Sequence, residues 1–274
     1  MSNSNVKPEK TGSSGAFSRL FASILIPVAI VIGILVFKFV LGNPANFEDG
    51  NPSGHPLPGN YSGMMYKGGY MVPILMASMI IVIAVIIERF ISISVASGKG
   101  SIPVFVRKIK AYLDRNDISG AIKECDNQRG SVGNVIREGL NKYNAMSSTP
   151  GLEKEQKMLA IQKEIEEATA LELPMLEKNL VILATFASVA TLLGLFGTVL
   201  GMIRAFSALA TAGAPDAVAL STGISEALIN TALGIGTSAL AIISYNYFTT
   251  KIDGLTYGID EAGFSIAQNF AAKH

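Results

Sequence analysis

Four stretches of this chain, Leu20–Leu41, Met71–Val95, Leu180–Phe206 and Ser221–Phe248, are long and apolar enough to cross a membrane. A hydrocarbon layer about 30 Å thick takes about 20 helical residues. Inside it every backbone N–H and C=O must be satisfied within the protein, so spans of this length are helices. Composition points the same way. Of 274 residues, 49% are hydrophobic and 16% are charged, with a mean hydropathy of +0.41. Soluble domains average about 25% charged residues, so these values argue against both a soluble enzyme and a disordered chain. The first stretch follows Lys7, Lys10 and Arg19 as a signal peptide would. Its apolar run is about twice the usual length and no small-residue cleavage site follows it, so it is read as an uncleaved span.

The net charge of +1 conceals a strong polarity along the chain. Three Lys or Arg precede the first span, one (Lys67) lies in residues 42–70, thirteen in 96–179, none in 207–220 and two in 249–274. Basic residues stay on the cytoplasmic side. The expected order is therefore a cytoplasmic tail (1–19), a first span (20–41), a periplasmic loop (42–70) and a second span (71–95). A cytoplasmic helical domain (96–179), a third span (180–206), a periplasmic loop (207–220), a last span (221–248) and a cytoplasmic C-terminal helix (249–274) follow. Lys38, Arg89 and Arg204 fall near span ends, where long side chains reach headgroups.

The 42–70 loop is rich in Gly, Pro and Asn and reads as irregular turns; its Asn60-Tyr61-Ser62 sequon is read as chance. Ala214-Pro215-Asp216 reads as a turn and cap. In the 96–179 segment, Ile102, Phe105, Ile109, Tyr112 and Leu113 recur at helical spacing. A second helix starts at Asp117, Gly130-Ser131 breaks it, and a long amphipathic helix from Gly151 runs toward the third span. The charged face of that helix, including Glu155, Lys163, Glu164, Glu166 and Glu167, reads as a solvated surface or subunit contact. No strand pattern appears, so the fold class is an all-α integral membrane protein. Cys125 alone forms no intrachain disulfide, suggests a reducing compartment and receives no role. His55 and His274 have no companions at metal-ligand spacing.

The chain lacks a G-x-S-x-G elbow, a P-loop and an H-E-x-x-H pair, so it is not read as an enzyme. The last span is the informative one. On a helical wheel Thr222, Ser225, Glu226, Asn230, Thr231, Gly234, Thr237, Ser238, Ala241 and Ser244 share one half, and bulky aliphatic residues fill the other. A carboxyl or amide is costly in lipid, so the polar half faces protein or water. In the third span Gly194, Gly197, Thr198 and Gly201 form a flank of small residues that allows close helix approach. Two readings of these residues stand side by side. Either the glycines and threonines pack the bundle and Glu226 is a buried carboxylate satisfied by its neighbours, or the hydroxyls and the acid serve an ion pathway.

Two runs carry a resemblance. Leu192-Leu-Gly-Leu-Phe-Gly-Thr-Val-Leu-Gly-Met-Ile203 closely resembles the G-L-[FL]-G-T-V-x-G-[MI] motif of the ExbB/TolQ/MotA proton-channel superfamily. Gly223-Ile-Ser-Glu-Ala-Leu-Ile-Asn-Thr-Ala-Leu-Gly234 resembles that superfamily's G-I-[AS]-E-A-L-x-x-T-A-x-G motif. Glu88-Arg89, at the cytoplasmic end of the second span, resembles the family's E-R pair. The resemblance covers about residues 71–248 and is strongest to the ExbB branch. It implies a homo-pentameric ring around the membrane helices of a dimeric ExbD-like partner, whose aspartate carries the proton. It also implies a TonB-like transducer that delivers force to outer-membrane receptors, in a bacterial inner membrane. By motif, Thr198 and Thr231 match the channel-facing threonines and Glu226 the intramembrane glutamate. Asn230 stands where some relatives carry Ala, and Gly194, Gly197, Gly201 and Gly234 fall in helix-packing positions. No cofactor, metal or nucleic-acid partner is implied. Threonine hydroxyls ligate Na⁺ as readily as they line a proton path, which leaves the ion open. A TolQ-like envelope role, a MotA-like stator and a passive scaffold are the alternatives. The first span is a departure, since common three-span ExbB and TolQ chains lack it.

Overall fold

The computed structural model describes residues 14–211 and 217–273. The expected tail up to residue 13, the turn at Ala214-Pro215-Asp216 and His274 lie outside the described residues. Within them the chain is helical: α1 (Ser14–Leu35), α2 (Tyr61–Tyr66), α3 (Met71–Ser97), α4 (Ile102–Asp114), α5 (Ile118–Gln128), α6 (Gly130–Ser148), α7 (Lys154–Glu177), α8 (Leu180–Thr211) and α9 (Ala217–Lys273). The only β feature among them is an isolated bridge between Phe47 and Pro56. Four helical runs among the described residues are long and apolar enough to cross a membrane; three contain the expected segments Met71–Val95, Leu180–Phe206 and Ser221–Phe248, and the first, Ser23–Leu41, begins three residues after the expected Leu20. The chain folds as two compact units, with the boundary falling inside α3, α8 and α9 at residues 85/86, 181/182 and 242/243.

In the first unit α1 touches α3 through backbone. A Cβ on Gly33 would lie 2.7 Å from the Pro73 carbonyl and 3.3 Å from the Ala77 amide. Pro73 is tolerated in the first turn of α3, where its missing N–H has no intrahelical partner to lose. The end of α1 widens into a π-helical turn, Val36–Leu41, closed by the Gly42 amide on the Phe37 carbonyl at 2.9 Å. Asn46 Nδ2 donates to the freed Val40 and Leu41 carbonyls at 2.8 and 3.0 Å. The 42–70 segment is irregular, as its composition predicts, and it folds around aromatic rings. Tyr66 stacks on Phe37 at 4.7 Å and meets the buried Phe47 edge-on at 5.5 Å. Lys67 donates to the Pro52 and Ser53 carbonyls at 3.0 Å each, and burial holds its ammonium below the usual lysine range. The Asn60 side chain of the sequon accepts from the Gly63 amide at 3.0 Å, capping α2.

The second unit packs α4 to α7 with the last part of α9. Phe105, Val106, Ile109 and Leu113 form the buried face of α4. Asp117 accepts from the Gly120 amide at 2.7 Å to start α5, and a left-handed Gly130 ends the corner before α6. A Glu153–Gln156 capping box starts α7. This helix does not run unbroken into the third span, because Lys178 leaves helical geometry and Asn179 adopts φ +64. The carbonyls exposed by the break are taken up by Arg89, which is 2% exposed and donates to Leu176 O at 3.1 Å and Met175 O at 3.5 Å. Glu88 grips the same guanidinium in a forked pair, 2.6 Å from Nε, and accepts from Ser92 at 3.0 Å and Asn179 at 3.2 Å.

The expected separation between a last span ending at 248 and a C-terminal helix starting at 249 is absent, since α9 is one helix of 57 residues. Tertiary packing explains its continuity. Ile252, Leu255, Ile259, Ala262, Ile266 and Phe270 form a buried stripe at helical spacing. Glu261 pairs with Lys110 at 2.7 Å, Tyr143 donates to Asn269 at 3.2 Å, and Asn269 and Lys273 both donate to Leu113 O at the end of α4, at 3.2 and 2.5 Å. Cys125, 2% exposed, is buried on the inner face of α5, and burial pushes its thiol up to about 12. The neutral thiol is therefore the only form present near neutrality. Maleimide at pH 8 is expected to label Cys125 in the folded protein on the order of a thousandfold more slowly than after denaturation, because only thiolate reacts. Mass spectrometry of timed reactions checks this, and rapid labelling of the folded protein would contradict the packing of α5.

Candidate functional site

In the first unit α8 and the first half of α9 run antiparallel with their backbones in contact. A Cβ on Gly194 would lie 2.9 Å from Asn230 O and 3.0 Å from Gly234 Cα; one on Gly201 would lie 2.8 Å from Ala227 N and from Gly223 O. From the other helix, a Cβ on Gly234 would lie 2.6 Å from Ala190 O, and one on Gly223 would lie 2.8 Å from Ala205 N. Only hydrogen fits at these positions, and the closeness that results supplies the dispersion contact that holds membrane helices together. Gly197 has a different job. Its missing side chain leaves the space that Asn230 fills, with Asn230 Cβ 2.6 Å from where a Cβ would sit. Gly223 completes this interface; the signal for it is its spacing of i, i+4, i+7 and i+11 with Ala227, Asn230 and Gly234.

The expected division of the last span is reproduced. Glu226, Asn230, Gly234, Thr237 and Ala241 are buried, and Thr222, Ser225, Thr231, Ser238 and Ser244 are half-buried. Leu228, Ile235, Ile242 and Ile243 of the other half are exposed.

Thr198 and Thr231 are brought together across the interface. Their hydroxyls hydrogen-bond directly, and both reach the Ala227 carbonyl, Thr198 at 3.3 Å and Thr231 at 3.2 Å. Thr198 also donates to Gly194 O at 3.1 Å. A hydroxyl that returns to its own helix backbone is a normal use of threonine in an apolar span. Here two such hydroxyls also meet, forming a polar spot between otherwise apolar helices. Thr198 borders an open groove of about 570 Å³ along α8, lined by Val199, Met202, Ile203, Phe206, Ser207 and Ala210.

Glu226 and Asn230, one turn apart on α9, dock against the corner that leads into α3. Glu226 is 4% exposed, and its Oε1 lies 2.6 Å from Arg204 Nη1 of α8. The Arg204 guanidinium also lies 5.6 Å from the centre of the Tyr70 ring. Gly69, at φ +74, is pressed against the Glu226 carboxylate, where any Cβ would collide. Asn230 is fully buried and donates to Gly68 O at 3.0 Å, while its Oδ1 has no partner among the described residues. Sequence reasoning missed Arg204 as a partner for Glu226, having placed it near a span end only as a headgroup contact. The available signal is one base and one acid near the ends of consecutive spans that flank the same short connection. The Gly68-Gly69 corner carried no signal beyond its turn composition. Glu88 and Arg89 form their own pair in the second unit, as described above, and no cluster of metal-ligating side chains occurs among the described residues.

The sequence profile of the MotA/TolQ/ExbB proton channel family matches residues 127–261. That stretch contains Thr198, Glu226, Asn230, Thr231 and the four predicted packing glycines, and leaves α1 and Glu88-Arg89 outside. Among curated proteins, the Tol-Pal system protein TolQ of Pseudomonas aeruginosa is 28% identical over 159 residues, 58% of this chain and 69% of that protein. TolQ of Haemophilus influenzae is 39% identical over 107 residues, 38% of this chain and 43% of its own. The biopolymer transport protein ExbB of Pseudomonas putida is 26% identical over 164 residues, covering 58% and 49%. The chain thus spans about half or less of the length of the latter two.

The backbone contact between α8 and α9 separates two glycine substitutions that look alike in sequence. Gly201→Ala places a methyl group against backbone on both sides and is expected to destabilise the protein by about 1–3 kcal/mol. Gly236→Ala meets nothing within 4 Å and is expected to be neutral or stabilising by up to about 1 kcal/mol. Unfolding midpoints of the detergent-solubilised variants check the contrast, and equal effects would contradict the close approach.

Proposed function

This chain belongs to the MotA/TolQ/ExbB proton channel family, and from that premise we propose that it forms the wall of a proton-driven motor of the ExbB–ExbD type. Five copies ring the membrane helices of a dimeric ExbD-like partner in a bacterial inner membrane, with both termini cytoplasmic. Proton flow drives a motion that a TonB-like transducer carries to outer-membrane receptors. The observation that supports this best is the pair of threonine hydroxyls held together at the glycine-lined α8–α9 interface, beside a groove open along α8.

A partner carboxylate entering such a groove meets apolar walls and one hydroxyl pair. In a dry passage that carboxylate is easily protonated, and the hydroxyls hydrogen-bond either protonation state or an adjacent water. Each proton moved through a membrane potential releases about 2.3 kcal/mol per 100 mV, enough to bias a modest conformational step. Glu226 is already ion-paired with Arg204. Its proposed part is to set the local field and hold the α3 corner, with the partner's aspartate carrying the proton.

A second reading is favoured by the TolQ relatives, one of which is matched over 69% of its length: the same ring and proton coupling serving envelope maintenance. A flagellar stator of the MotA kind is less well supported, because its larger inside domain with rotor contacts exceeds the 84 residues between the second and third spans.

With the neighbouring gene product co-expressed, Thr198→Ala and Thr231→Ala are each expected to lower proton flux into reconstituted vesicles at least tenfold while rings still form. Thr→Ser at either position is expected to retain most of the flux. Counting subunits in the purified complex tests the five-to-two arrangement. Imposing H⁺ and Na⁺ gradients separately identifies the ion. Unchanged flux in both alanine variants would leave the passive scaffold as the better reading.

A further inference from the structure

The corner where α3 meets the α5–α6 turn is built backbone to backbone. The Lys99 amide donates to Gln128 O at 2.6 Å, and Gln128 Nε2 donates to Ser97 O at 3.0 Å. A Cβ on Gly98 would collide with the Gln128 and Arg129 carbonyls, and one on Gly130 with Ala96 O. Lys99 and Arg129 are thereby held side by side, both exposed and neither in an ion pair with any described residue.

Arg129 is an unexpected residue for its position. At φ 58, ψ −176 it occupies a backbone region that is essentially reserved for glycine. Its side chain makes no cap hydrogen bond to α6. Neither backbone preference nor packing explains an arginine there, so its exposed guanidinium is the remaining reason.

The surroundings indicate what that guanidinium meets. Ile87, Ile91 and Val95 form an exposed apolar stripe on α3 at four-residue spacing, and the stripe ends at this corner. On the reading of α3 as a membrane span, the two cations stand where acyl chains give way to headgroups, on the side where basic residues concentrate. On α9, Lys251 lies one turn beyond the exposed Tyr247, with its ammonium 5.7 Å from that ring, the disposition of a side chain reaching from an apolar surface to an interface. Of the acidic groups around the corner, Asp126 pairs with Arg137 and Glu124 with Lys108, and Glu172 is engaged by the Ser131 hydroxyl at 2.7 Å and the Asn134 amide at 3.3 Å; none of the three forms an ion pair with Lys99 or Arg129.

We propose that Lys99 and Arg129 form a binding site for the phosphodiester headgroup of an anionic phospholipid, with its acyl chains along Ile87, Ile91 and Val95. A guanidinium takes the two non-bridging oxygens of the phosphodiester in parallel and the ammonium donates to one of the same two, while the stripe accepts the chains. The site rests on the membrane placement of α3 and not on the proton pathway, so loss of lipid binding with intact flux, or the reverse, tells the two apart.

The test uses the full-length protein in detergent, titrated with phosphatidylglycerol or phosphatidylcholine of the same chains, and reads retained lipid by native mass spectrometry and the unfolding midpoint. Phosphatidylglycerol is expected to bind more tightly. Arg129→Gly and Lys99→Gln are each expected to weaken it about fivefold and leave phosphatidylcholine unchanged. Without lipid, Arg129→Gly is expected to be at least as stable as the parent, because glycine suits that backbone, and this separates loss of binding from loss of folding. Equal affinity for the two lipids, undiminished phosphatidylglycerol binding in both variants, or equal binding of inorganic phosphate alone would overturn the proposal.

Discussion

The close approach of α8 and α9 is the contact on which the rest of the first unit depends. Lipid tails are as apolar as leucine, so burying aliphatic surface gives two membrane helices little reason to associate. What remains is contact at short range. Gly194, Gly201, Gly223 and Gly234 bring peptide planes together, and each polar feature of the site then follows from the narrow gap. Thr198 and Thr231 meet because their helices do, and both hydroxyls reach the Ala227 carbonyl. Asn230 fits because Gly197 leaves its volume free. Larger residues at these places would separate the hydroxyls before they altered anything chemical.

Charge within the spans follows a second rule, that an ion removed from water needs a partner. Arg204 and Glu226 meet that need in one unit, and Glu88 and Arg89 in the other. The partners do more than neutralise. Arg89 takes up the carbonyls at the broken end of α7, so a single buried guanidinium joins α3 to the α7–α8 turn. Glu226 is packed against Gly69, which ties the start of α3 to α9. Removing Arg204 therefore leaves the buried Glu226 without its partner, and removing Glu88 leaves the buried Arg89 without its own.

Much of the helical order was legible because apolar periodicity and caps are local signals. Asp117, Gly130 and the spacing of Phe105, Ile109 and Leu113 mark their helices without help from tertiary structure. The polar half of the last span was legible for the same reason, since hydrocarbon excludes amides and carboxylates from one face. Continuity was the harder matter. Nothing local distinguishes a helix that stops at residue 248 from one that continues, and α9 continues because its stripe from Ile252 to Phe270 is buried against other helices. The opposite holds at Lys178-Asn179, where the helix that runs toward the third span ends in a turn, and the freed carbonyls are taken up by Arg89, 87 positions before Leu176 and so beyond the reach of any local sequence signal.

By itself the sequence determined an all-helical chain with four apolar stretches, one polar helix face and a flank of small residues, because solvent exclusion acts residue by residue and leaves a periodic trace. Only the tertiary structure decided which residues meet. Arg204 pairs with Glu226 from another helix, Gly68 receives the Asn230 amide across 162 positions, and the two threonine hydroxyls bond across 33. Such pairings depend on helix register and separation, which are set by shape at the glycine contacts, and a one-dimensional pattern of hydropathy carries no record of that shape.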